Sequence, residues 1–379
     1  MTPAKTLALC LVIAPTMLHA QQSNPFFDLM QKAAAHAREH HALMPALSPV
    51  DATIVNGQVP VAELQKAGIK VVPWTTNDPE KMRAVIRTGV DGLISDRPDL
   101  LQKVVAEERA AKPGSLKGFD VQGHRGGRGL RPENTLPAFE AGLDNLISTI
   151  ETDTGVTRDH TSIIWHDQFL NPQSCRKADG SAYTLADRVY HNDITIHEAQ
   201  STFVCDKLHT AQFPDQKNDL ALSPVAVAFA AREKLISPYV PTYVEQLFRF
   251  VSFYGEYYAH GAGKGQPEAA ARAANAAKVR FNLETKILPE DLPPPAADSP
   301  LAKYAEMLKN HTFGPQVFVD VLCGAIAKHH MEARSDVQSF DFRTLILVEE
   351  QYPKILTFYL TEAQGSLSGP MLPPSLRQK

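Results

Sequence analysis

Between residues 50 and 95, short apolar runs alternate with helical stretches, and this rhythm limits the fold more than any other feature of the chain. Residues 50–55 read as a strand, 61–67 as a helix closed by Gly68, and 69–74 as a second strand. Asp78 caps a further helix that runs through Thr88, and Gly89 ends it before a strand over 91–95. Strand and helix in alternation build a parallel sheet, open or closed into a barrel. Upstream, 24–44 has the Ala-rich spacing of a helix, with Pro45 closing it. Downstream, 104–119 reads as a helix passing into a linker over 106–119 that holds Pro113, Gly114 and Ser115, before a strand over 120–123. A chain of 379 residues has room for two average domains. Closed α/β barrels of ~250 residues or more form single domains, so length forces no split.

A formal net charge of −4 leaves no basic excess to neutralise a phosphate backbone, which argues against nucleic acid as a partner. The first residues run from Lys5 through an apolar stretch over 7–18 to His19 and Ala20, the layout of a signal peptide over 1–20, and predict a periplasmic or secreted protein. That stretch is shorter than the ~20 residues a spanning helix needs, so no stable membrane anchor is expected once the leader is removed. Three cysteines then remain. Cys175 and Cys205 flank one polar region and are the disulfide candidates, whereas Cys323 sits in an apolar run and reads as a buried thiol.

The residues suited to chemistry fall in short motifs at strand ends. These are Gly123-His124-Arg125-Gly126-Gly127, Pro132-Glu133-Asn134-Thr135, Ile150-Glu151-Thr152-Asp153, Trp165-His166-Asp167, Asn282-Leu283-Glu284-Thr285-Lys286 and Gln338-Ser339-Phe340-Asp341. Alternate side chains of a strand share a face, so Glu151 and Asp153 project together, as do Glu284 and Lys286. Carboxylates gathered inside a barrel need a compensating cation, and an all-oxygen ligand set favours Ca2+ or Mg2+ over zinc. The glycines after His124 allow close backbone approach to a phosphate, and Arg125 can fork onto two of its oxygens. His124 and His166 at two strand ends suit general acid and base work. The segment 132–135 reads as mainly structural, a helix cap. A long region separates the His166 strand from the Glu284 strand, polar over 171–219 and helical from Pro241 onward. His36 and His40, one helical turn apart without a carboxylate partner in the HExxH pattern, read as a solvated helix face.

In this order the motifs resemble the glycerophosphodiester phosphodiesterase family, while residues 71–78 and 89–98 look like the closing strands that the family carries at its C-terminus. The resemblance implies a circularly permuted TIM-type (β/α)8 barrel with a long insertion between the His166 and Glu284 strands. Residues 21–105 would supply closing strands and helices, 120–364 the first part of the barrel, and 365–379 a flexible tail. Closure within one chain, closure by exchange in a homodimer, and an incomplete barrel beside a relic are all open at this stage. Carried over residue by residue, the resemblance implies Glu151, Asp153 and Glu284 as ligands of one divalent cation, and His124 and His166 as the acid/base pair. Arg125 and Lys286 would hold the phosphate, with Trp74 lining the glycerol side. The implied reaction is hydrolysis of a small glycerophosphodiester to glycerol 3-phosphate and an alcohol. Two rivals are a lysophospholipase D-like activity on lipid diesters and a non-catalytic binding protein on a degenerate barrel.

Overall fold

Parallel pairing between short strands organises the chain. The computed structural model describes residues 24–289, 295–299, 302, 305, 309–362, 367 and 376. The leader expected over 1–20 therefore lies outside the described residues, as does most of 365–379. Leu367 and Leu376, the two tail residues that are described, are buried in the main core.

Helix α1 (Pro25–Glu39) opens on Asn24, whose side chain accepts from the backbone N–H groups of Phe26 and Phe27. It ends five residues before Met44, because His40 caps it and His41 turns into the left-handed region at φ 55°. Strand β1 (Ala46–Pro49) then precedes the short helices α2 (Asp51–Val55) and α3 (Val61–Lys66). The strand expected over 50–55 is thus displaced. The β-branched residues there lose to tertiary pairing, which engages 46–49 instead, and Thr53 bonds back to the Val50 carbonyl at 2.7 Å inside a helical turn. Helix α4 (Pro79–Arg87) is capped by Asp78, and strand β2 (Gly92–Ser95) and helix α5 (Pro98–Ala111) follow. Because α5 runs to Ala111, the linker expected over 106–119 shrinks to 112–119.

Strand β3 (Asp120–Gly123), helix α6 (Leu136–Asp144), strand β4 (Thr149–Val156) and the short strand β5 (Ser162–Ile164) come next. The region after β5 carries β6 (Arg176–Lys177), α7 (Ile196–Thr202), β7 (Phe203–Val204), α8 (Pro224–Arg232), β8 (Thr242–Tyr243), α9 (Val244–Ala259) and α10 (Ala269–Ala276). The barrel resumes with β9 (Arg280–Thr285), α11 (Pro315–Lys328), β10 (Ser335–Ser339), α12 (Phe342–Gln351) and β11 (Leu356–Thr361).

The sheet runs β1-β11-β10-β9-β4-β3-β2, parallel throughout. The extended segment 69–74 joins its two ends. Val72 N–H donates to the Leu47 carbonyl and Trp74 N–H to that of Pro49, while Asp91 and Ile94 N–H groups of the β2 side donate to Val71 and Pro73. Eight extended segments so form a TIM-type barrel, closed within one chain by residues 46–95. Outward side chains such as Val121, Ile150, Leu283 and Val337 pack under the helices in the main core, at ~1.5–3 kcal/mol for each fully buried residue. Inside, the half built from the N-terminal segment and β11 is apolar, with Ala46, Val72, Ile94 and Phe358 in one cluster. The other half is polar: Asn282 donates to both Gln122 and Gln338.

The insertion has its own small core around Trp165, Leu170, Tyr183 and Phe203. Cys175 and Cys205 are disulfide-bonded at its centre, and Cys323 is a buried free thiol. Removing residues 24–105 takes away two strands and the joining segment, leaving β11 and β3 each with one open edge. The remainder should show no cooperative thermal transition by circular dichroism; a sharp melt would show the barrel complete without them.

Candidate active site

The strands place their functional side chains at one end of the barrel, the C-terminal rim. In the register of β4 and β9, Glu151 lies beside Asn282 and Asp153 beside Glu284, and β10 sets Gln338 beside Glu284. The period of two turns all of these inward, and one oxygen from each of Glu151, Asp153 and Glu284 lies within 4.8 Å of the others. All three are almost fully buried.

Each carboxylate is held. Glu151 accepts from the Arg125 backbone N–H at 3.0 Å and from Gln338 Nε2 at 2.6 Å. Asp153 accepts from Asn134 Nδ2 at 2.8 Å and pairs with Arg125 Nε at 3.1 Å and Lys286 Nζ at 3.2 Å. Lys286 also reaches Glu284 Oε1 at 2.5 Å. The Asp153 Oδ1 and Glu284 Oε1 contacts are ion pairs only; neither oxygen receives a hydrogen bond of acceptable alignment. Burial and then the Asp153 and Glu284 charges push Glu151 well above the usual carboxylate range. Burial outweighs the pull of Lys286 and raises Glu284 too. Burial would also raise Asp153, but Arg125 and then Lys286 overcome it and hold that carboxyl well below its usual range. Three buried acids, two of them with an oxygen that receives no hydrogen bond, fit a hard divalent cation.

His124 follows β3. Its Nδ1 donates to Asp96 Oδ1 at 2.6 Å, and its Nε2 lies 3.8 Å from Glu151 Oε2. Burial pushes the ring down to about 4, against the pull of Asp96 and with the help of Arg128. Asp96, on the loop after β2, also accepts from Arg128 Nε and Asn77 Nδ2, each at 2.6 Å. Although burial disfavours its charge, His124 and Arg128 hold it well below the usual range.

His166 corrects an expectation, because it does not end a barrel strand. β5 is antiparallel to β4, a hairpin return, and His166 stands two residues beyond it on the loop. Its side chain is 36% exposed against 12% for His124, and its Nδ1 meets Asp167 Oδ1 at 2.9 Å. Its charge is nonetheless felt by Glu133, Asp153 and Glu284, so it faces the same mouth.

Arg125 is engaged by protein acids, Glu133 at 2.9 Å as well as Asp153. Gly126, read as a concession to phosphate, serves packing instead: at φ +86°, a Cβ there would meet the Ala138 and Phe139 backbone of α6 at 2.7–2.8 Å. Trp74 donates from Nε1 to the Ser48 carbonyl, packs on the apolar interior, and meets Phe340 edge-on at 5.5 Å. Lys286 Nζ lies 5.9 Å from the Phe340 ring, so these aromatics approach the acidic cluster.

The segment 132–135 is more than a helix cap. Thr135 does cap α6, but Asn134, at φ 57°, accepts from Thr152 and donates to Asp153, and Glu133 binds Arg125. Gln338 was likewise missed as a site residue, whereas Asp96, expected to brace the mouth of its strand, holds His124 there. Alternation with Val337, the apolar residue of β10, was the available signal for Gln338.

The sequence model of the Glycerophosphoryl diester phosphodiesterase family matches residues 8–100 and 124–254, more than half of the chain. Among curated proteins, YqiK of Bacillus subtilis (strain 168), an uncharacterized protein, is 44% identical over 48 residues, 13% of this chain and 20% of its own length. A protein of Silicibacter pomeroyi DSS-3 assigned as a glycerophosphoryl diester phosphodiesterase superposes with a TM-score of 0.40 at 21% identity, over 63% of this chain and 64% of that one. An Oleispira antarctica phosphodiesterase, solved with the product sn-glycerol-3-phosphate, gives 0.25 at 15% identity, over 64% and 92%. Family assignment rests on the sequence match; superpositions with TM-scores below 0.5 add nothing to it.

Gly126→Ala should cost ~1–3 kcal/mol from its backbone conformation alone, measured by urea unfolding. In the cation-free protein, carboxyls raised in the folded state lose stability as pH climbs from the unfolded value toward the folded one, because the unfolded chain releases its protons first. A divalent cation relieves that repulsion. The thermal shift on adding calcium or magnesium should therefore be larger above neutrality than in mild acid, and an equal shift would contradict the assignment of these ligands.

Proposed function

This chain belongs to the glycerophosphoryl diester phosphodiesterase family, and from that premise we propose that it hydrolyses small glycerophosphodiesters to glycerol 3-phosphate and an alcohol. The convergence of Glu151, Asp153 and Glu284 between His124 and His166 carries the reading. A divalent cation, calcium or magnesium, would sit among the three carboxylates and draw charge from the phosphoryl oxygens.

The residues divide the remaining work. His124, with its Nδ1 proton held by Asp96 and its ring kept neutral by burial, presents a bare Nε2 and is the base. It takes the proton from the glycerol hydroxyl beside the phosphoester; that oxygen attacks phosphorus, and the bond to the departing alcohol breaks. His166 gives the departing oxygen its proton. Water then opens the cyclic phosphate with the two roles exchanged. Lys286 and Arg125 bring positive charge to the rim, and Trp74 with Phe340 offers an apolar wall for the glycerol carbons.

We also propose that the chain is a circular permutation, in which residues 46–95 stand before β3 rather than after β11. Two observations support this: the connector 112–119 is short, and α1 lies against α12 as a helix following β11 would. The Cys175–Cys205 bond, together with the leader-like first twenty residues, supports an exported protein. No helix among the described residues is long and apolar enough to cross a membrane.

Purified protein should release glycerol 3-phosphate from glycerophosphocholine, and both a chelator and Glu151→Ala should abolish the release; turnover surviving either treatment would sink the metal assignment. Lysophosphatidylcholine in parallel separates the lipid-diester alternative. Asp96→Asn should lower kcat on the order of 10²–10⁴-fold with KM little changed, as loss of a tautomer-fixing partner does.

A further inference from the structure

The opposite end of the barrel holds a second cluster of metal-ligating side chains. His36 and His40 project from the same face of α1, their ring centroids 4.5 Å apart. The sequence reading of a solvated helix face does not hold, because α12 packs against α1 and ends in two carboxylates that meet His36. His36 Nδ1 lies 2.8 Å from Glu349 Oε2, and His36 Nε2 lies 3.3 Å from Glu350 Oε1. One ligand atom each from His36, His40 and Glu350 falls within 4.8 Å of the others.

Glu349 is fully buried, and its other oxygen accepts from Thr357 Oγ1 at 2.8 Å and Tyr359 OH at 2.9 Å. A carboxylate so fixed accepts a hydrogen bond from the Nδ1–H of His36. In the neutral ring that leaves Nε2 as a lone pair facing an acceptor oxygen of Glu350, a repulsive contact that a shared cation turns into two bonds. A carboxylate behind the far nitrogen of a ligating histidine is the arrangement that orients such ligands at metal centres.

We propose that His36, His40 and Glu350 bind a borderline transition ion, with Zn2+ as the reference case, at a site independent of the rim. Two imidazoles one turn apart and one carboxylate supply three ligands and leave a fourth position for water. Nitrogen donors separate this site by chemistry from the all-oxygen rim site, which favours calcium or magnesium. Its place at the seam of α1 and α12 makes the ion a clip between the N-terminal helix and the last helix of the barrel.

The test uses untagged, metal-stripped full-length protein in excess calcium, titrated with zinc and read by bound zinc per chain and by thermal shift. Wild type and Glu151→Ala should each bind zinc at this site and melt higher. His40→Ala should lose that ion and that shift while hydrolysing its substrate at the wild-type rate. Glu349→Gln, close to isosteric, should weaken zinc binding on the order of 10–100-fold. Cobalt should give the intense visible bands of a tetrahedral nitrogen site in wild type and not in His40→Ala. Zinc binding retained in His40→Ala, or no zinc bound beyond what Glu151→Ala loses, would overturn the proposal and leave His36 as an ion-paired helix residue.

Discussion

Burying three carboxylates within a few ångströms of one another is the constraint around which the rim is built. Counting Glu133 with Glu151, Asp153 and Glu284 gives four acids beside two cations, Arg125 and Lys286, which pair with all of them but Glu151, while Asp96 is matched by Arg128. Two negative charges remain. Without a further cation the strain falls on Glu151, which is driven well above its usual range, whereas Asp153 takes most of the local positive charge and stays ionised. A divalent ion matches the deficit in both sign and size.

Support for the cluster comes from the barrel interior, which is divided by origin in the sequence. Asn282 links Gln122 to Gln338, and Gln338 in turn donates to Glu151, so a polar layer beneath the rim fixes the orientation of the least comfortable acid. Across the interior the N-terminal segment contributes an apolar plug and no part of that layer. It nevertheless reaches the site at its edge through Asp96 and Trp74. The closing segment is therefore more than a lid on a finished barrel: without Asp96, His124 would have neither a fixed tautomer nor a partner for its buried Nδ1.

What could be read from the chain followed the period of two. Glu151, Asp153, Glu284 and Lys286 were legible as two pairs because alternate side chains of a strand share a face, and the apolar Ile150 and Leu283 before them face the helices; the alternating rhythm of 61–95 pointed to the architecture. What could not be read depended on tertiary geometry. The hairpin that carries His166 off the barrel wall rests on antiparallel pairing between β4 and β5, which no local signal announced. Asn134 looked like part of a cap because its neighbour Thr135 is one. Its left-handed backbone, which aims the amide at Asp153, is set by contacts on both sides. Gly126 had the right residue type and the wrong reason, since its contact is with helix residues twelve and thirteen positions away in sequence. His36 and His40 lack the carboxylate of an HExxH pattern, and their acidic partners come from α12 instead.

The different surroundings of the two histidines give a physical basis for dividing their labour. His124 is sealed between Asp96 and Glu151, with Arg125 and Arg128 close by, and those cations together with burial favour the uncharged ring. A cation at the rim adds positive charge on the same side, so binding it strengthens the preference for a free Nε2. His166 stands on a loop, its ring more than a third exposed, beside Asp167 and across from the acids it influences. In the proposed order of steps the buried ring therefore starts without a proton and with its Nε2 lone pair free, which is the state that attack by the glycerol hydroxyl requires.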